Sequence, residues 1–137
     1  MTNRSLLALV AVLVTTPTMA GSAQTAVLDR YAAEAKAANP AFAGFSTARG
    51  KALFHASFTT GKPDTPSCTT CHTENPTQPG RTRAGKTVPP MALSAKADRY
   101  SDFAEVEKWF GRNCDSVIGR ACTSIEKGDF ISFMVTQ

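Results

Sequence analysis

The chain has 137 residues and 15 Lys and Arg against 11 Asp and Glu, a net charge of +4, and its length suits one domain. One of those cations, Arg4, belongs to the opening segment, so the charge left on the remainder is too small to point to nucleic-acid binding. No apolar run reaches the roughly 20 residues that a membrane-spanning helix needs.

From the N-terminus, Arg4, the apolar run Leu6 to Val14 and the small residues of "TPTMAGSAQ" stand in the order of a secretory signal. Cleavage is expected after Ala20 or Ala23, which makes residues 1–23 the signal and residues 24–137 one exported, periplasmic domain carrying a charge of +3. "TAVLDRYAAEAKAAN" predicts a helix over residues 25–39, with Val27, Tyr31 and Ala35 on one face and Pro40 as its stop. Ser46 is a good N-cap for a second helix over "TARGKALFHASF". Phe54 is expected to face inward there and His55 to lie on the surface.

From Thr73 to Arg99 the sequence is mostly Pro, Gly, Thr and isolated charges, which predicts a loop of about 27 residues. So long a loop in so small a chain implies a large apolar object for it to wrap. A third helix is expected over "DFAEVEKWFGR" after Ser101 as N-cap, with Phe103, Val106 and Phe110 on one face. The last begins at "TSIE", where Thr123 and Glu126 have capping-box spacing, and carries Phe130, Ile131, Phe133 and Met134 into the core. The fold class is therefore all-α, with no strand signal.

The chemistry sits in "CTTCH". Cys68 and Cys71, with two residues between them, can form thioethers to the two vinyl groups of one haem, and His72 then offers its imidazole to the iron. Zinc is the competing use, with Cys68, Cys71, Cys114 and Cys122 as four thiolates. The seven residues between Cys114 and Cys122 suit a zinc knuckle poorly, and an exported chain is the wrong compartment for four reduced cysteines. A thioredoxin-type pair would need a parallel sheet. Haem leaves Cys114 and Cys122 to pair in an oxidising compartment, and two propionates bring the charge close to +1. The cations Arg81, Arg83 and Lys86 form a solvated loop or, beside a haem edge, steer an acidic redox partner.

The sixth iron ligand is open at this level. Met91 stands 19 residues after His72, in a loop, and Met134 lies on a helix whose apolar face packs inward. The stretches "GKPDTPSCTTCH", "RTRAGKTVPPMALSA" and "VEKWFGRNCDSVIGRACT" resemble the sphaeroides haem protein family, small exported monohaem cytochromes c, from about Gly44 to the C-terminus. The resemblance implies a helical cytochrome c fold around one covalent haem c, with Asn113 as the sixth ligand and a disulfide between Cys114 and Cys122, while Met91, where the family can carry a non-ligating apolar residue, stays the alternative read from the residues themselves. It also implies release of the asparagine on reduction, binding of O2, NO or CO, and electrons taken from a dihaem cytochrome c. An ordinary His/Met electron carrier is the second reading. A reductase of oxygen, peroxide or a nitrogen oxide is the third, and no residue identifies catalytic turnover.

Overall fold

The computed structural model describes residues 21–137. The expected signal therefore lies almost wholly outside the described residues. Among the described residues, five helices and one two-stranded antiparallel hairpin follow in chain order: α1 Ser22–Ala38, α2 Thr47–His55, α3 Thr69–His72, β1 Gly80–Arg81, β2 Thr87–Val88, α4 Phe103–Ile118 and α5 Ser124–Val135. None of these helices is long and apolar enough to cross a membrane.

α1 buries Val27, Tyr31 and Ala35, residues four apart and hence on one face of a helix. Asn39 ends it, ahead of Pro40, whose ring disfavours helical geometry in the residue before it. α2 starts where expected, with the Ser46 hydroxyl accepting from the Arg49 amide, but stops at His55, three residues short of the expected end. Phe54 is completely buried. His55 is partly exposed and paired at 2.7 Å with Glu74.

α5 opens with the expected capping box between Thr123 and Glu126 and buries Phe130, Ile131, Phe133 and Met134. α2 packs closely on it because Gly50 has no side chain, and a Cβ there would overlap the Asp129 carbonyl. The Asp129 carboxylate, only 3% exposed, accepts from the Ser46 amide at 2.6 Å and from Arg49 at 2.6 and 2.8 Å. Removing Arg49 would leave the buried carboxylate with the Ser46 amide as its remaining partner and so weaken the contact between α2 and α5.

α4 is capped by Asp102, whose carboxylate accepts from the Glu105 amide. Ser101, the expected cap, instead donates its hydroxyl to the Asp98 carbonyl at 2.6 Å. Val106 is buried, and Phe103 and Phe110 pack against the core. The helix runs on to Ile118, so that Asn113 and Cys114 are helical, and Gly119 closes it in the left-handed conformation at φ 78°. The expected long loop is present between α3 and α4, interrupted by the short hairpin, in which Gly80 pairs with Val88 and Arg81 with Thr87.

Candidate functional site

α3 is a single turn, and it places Cys68, Cys71 and His72 together. The amides of Cys71 and His72 both donate to the Cys68 carbonyl, at 3.3 and 3.1 Å, while the Ser67 hydroxyl accepts from the Thr70 amide at 3.2 Å. Thr73 stops the turn with φ 60°, a conformation that is uncommon for a residue with a side chain. Both cysteines are free thiols. Burial pushes the Cys68 thiol up to about 11, so it stays protonated and apolar.

Burial, and then the nearby Arg99 charge, push His72 down to about 4. The imidazole is therefore neutral at physiological pH, the form that can donate a lone pair to a metal. His72 Nδ1 is a buried atom without a hydrogen-bond partner in the described residues, an unusual condition for a buried polar group. Two unpaired thiols on one turn, followed by a neutral imidazole with an unmet polar atom, fit a haem held by thioethers with iron on the histidine.

The long loop fixes that turn from outside. Gly80 lies so close to α3 that a Cβ would overlap the Cys71 carbonyl. The Pro76 carbonyl accepts from the amides of Met91 and Ala92 at 2.8 and 2.9 Å. Tyr100, at φ 58°, donates its hydroxyl to the Met91 carbonyl at 2.8 Å. Arg99 donates to the carbonyls of Pro90 and Pro89 at 2.8 and 2.9 Å. Met91 is thus held by its backbone to the segment that carries His72, and its side chain is buried in the main core.

Asn113 is exposed on α4. Its neighbour Cys114 forms the expected disulfide with Cys122, with Cα atoms 5.7 Å apart, which removes the four-thiolate zinc alternative. These cysteines, Val117 and Ile118 form a second small core against which Cys68 also packs. The segment leading into α3 is bound to the same helix end. Lys62 donates its amide to the Ser116 carbonyl at 2.7 Å, and the hydroxyls of Thr60 and Thr65 donate to Ile118 and Ser116 at 2.5 and 3.2 Å.

Sequence reasoning did not reach Gly80, Arg99, Tyr100 or the Thr60–Thr65 segment. Gly80 offered the one readable signal, a glycine eight residues after the histidine.

Residues 40–134 match the family described as a domain of unknown function, DUF1924. The chain is 57% identical over 89 residues to the cytochrome c-type protein SHP of Cereibacter sphaeroides, covering 65% of this chain and 69% of that protein. It is 33% identical over 109 residues to cytochrome c'' of Methylophilus methylotrophus, covering 79% and 76%. This chain belongs to the sphaeroides haem protein family of c-type cytochromes. The structure of oxidised SHP, described as an oxygen-binding cytochrome c, superposes with a TM-score of 0.77 at 48% identity over 83% of this chain and 96% of that one. Oxidised cytochrome c'' gives 0.73 at 30% identity over 85% and 95%. The cytochrome is accordingly an all-α, monohaem protein with haem c as its cofactor.

Proposed function

We propose that this cytochrome is exported to the periplasm, residues 1–23 being its signal and residues 24–137 the haem domain, and that it binds a diatomic gas at a sixth iron position closed by Asn113 in the oxidised state. Cys68 and Cys71 carry the thioethers and His72 is the fifth ligand. When bound, the haem supplies an iron that changes between ferric and ferrous states and takes ligands on its two faces.

The chain's own residues do the rest. His72 stays neutral and offers a lone pair. Asn113 offers a neutral amide, a hard and weak donor that suits ferric iron better than the softer ferrous ion. Its hold on a reduced iron would therefore be weaker, and the Asn113 amide would leave that position open to O2, NO or CO. Electrons come from a partner such as a dihaem cytochrome c.

One observation carries the choice of Asn113 over Met91. The Met91 backbone is bonded to Pro76, four residues beyond His72, whereas a sixth ligand must reach the iron from the face opposite the histidine. Asn113 stands on a separate helix, next to the Cys114–Cys122 disulfide, with its side chain exposed rather than packed into the main core as Met91 is. Ferric absorption spectra of the haem-loaded variants test this. Asn113→Ala is expected to change the spectrum to that of a five-coordinate or water-ligated iron and Met91→Leu to leave it unaltered. A methionine-to-iron charge-transfer band that disappears in Met91→Leu would make the protein an ordinary His/Met electron carrier.

A further inference from the structure

The fold gives the basic residues Arg81, Arg83 and Lys86 a defined address. They stand exposed on the hairpin formed by β1 and β2, which is closed by the Thr82 amide on the Lys86 carbonyl at 2.8 Å and the Gly85 amide on the Thr82 carbonyl at 2.9 Å. Gly85 takes φ 78°, where a side chain is disfavoured. Arg81 is tied across the turn, donating to the Gly85 carbonyl at 2.8 Å.

Both ends of this surface connect to the haem-binding region. At the hairpin base, Gly80 lies against the carbonyl of Cys71. Arg83 pairs with Asp64, and two residues before Asp64 the exposed Lys62 bonds through its amide to the end of α4. Four exposed cations, Lys62, Arg81, Arg83 and Lys86, thus stand on two segments joined by the Arg83–Asp64 pair, one packed against the turn that carries His72 and the other bonded to the helix that carries Asn113.

We propose that this surface is the docking site for an acidic electron-transfer protein, placed so that the electron enters beside Cys71. The proposal rests on the haem assignment above. One electron leaves the partner's reduced cofactor and converts ferric iron to ferrous, and no atom is transferred. Cations fixed on a closed hairpin lose little freedom when a partner binds, and they draw a negatively charged surface to this edge of the molecule.

Reduced flavodoxin, an acidic electron donor, serves as the probe for the haem-loaded protein. At low ionic strength the Arg81→Glu/Lys86→Glu variant is expected to be reduced about tenfold more slowly than wild type, the size of effect that electrostatic steering gives. Calorimetry with oxidised flavodoxin is expected to show a matching loss of affinity. Both differences should vanish near 0.5 M salt, where surface charges are screened within a few ångströms. A Lys36→Glu/Lys51→Glu variant, with the same change of net charge on α1 and α2, should behave as wild type. Equal rates and affinities for wild type and Arg81→Glu/Lys86→Glu at low salt would overturn the proposal, as would an equal loss in the control variant. Failure of the haem assignment would show earlier and separately, as purified protein without haem absorbance.

Discussion

The segment around His72 and the segment around Asn113 are built by different means. Around His72, polar contacts from Pro76, Arg99 and Tyr100 fix the backbone on either side of Met91, and Gly80 closes directly on α3. Asn113 instead stands exposed on α4, and its position depends on a single covalent staple and on the loop bonded to Ser116 and Ile118. The difference teaches that one proposed ligand, His72, sits on a turn closed in by the loop around it, while the other, Asn113, keeps an exposed side chain on a fixed backbone. Under the proposed function, the first arrangement suits a permanent ligand and the second a ligand that leaves on reduction.

The largest expected effect breaks the His72 side. Cys68→Ala together with Cys71→Ala should abolish covalent haem attachment, and haem staining after denaturing electrophoresis would show no band at the protein's mass. A retained band would remove both cysteines from the assignment. His72→Ala alone should keep some attachment but alter the absorption spectrum.

The second effect falls on the Asn113 side. Replacing Cys114 and Cys122 by serine opens a loop with a sequence separation of 8, whose closure is worth about 2.6 kcal/mol in the chain-entropy model. Thermal unfolding should move down accordingly, and azide should bind the ferric protein faster because the backbone of Asn113 is looser. The His72 side should keep its covalent haem. Two free thiols in the native protein, found by mass spectrometry, would contradict the staple.

The smallest effect is a pH dependence on the same side. Glu126 is pulled down to about 2, first by the hydrogen-bonded Arg120 guanidinium, and the pair spans the loop that contains Cys122. Because the folded value lies below the ordinary 4.5, this pair's stabilisation is fully present above that value and is lost as pH falls towards 2. Exposure and screening limit it to roughly 1 kcal/mol or less. Acid unfolding followed by circular dichroism should therefore show a slightly shallower loss between those pH values in Glu126→Gln than in wild type.

The helices were legible because their signals are local. Val27, Tyr31 and Ala35 repeat at helical spacing, and the Thr123–Glu126 capping box lies within one turn. The N-cap of α4 was misplaced by one residue because Ser101 and Asp102 are both good caps, and only the Asp98 carbonyl, which engages the Ser101 hydroxyl, separates them. The two-residue strands carry no periodicity to read. That Cys68, Cys71 and His72 come together was readable from spacing, since all three stand on one turn of chain. The restraints on Met91 were not, because they come from Pro76 and Tyr100, whose roles depend on how the long loop folds back.

Ligand uptake in the two oxidation states tests the central claim most directly. With azide and ferric protein, Asn113→Ala should react faster than wild type, because no amide has to leave. With carbon monoxide and ferrous protein, the two should react at similar rates, because reduction has already released the amide in wild type. Equal azide rates in the ferric state, or a ferrous wild type still slower than Asn113→Ala towards carbon monoxide, would contradict a sixth position gated by reduction.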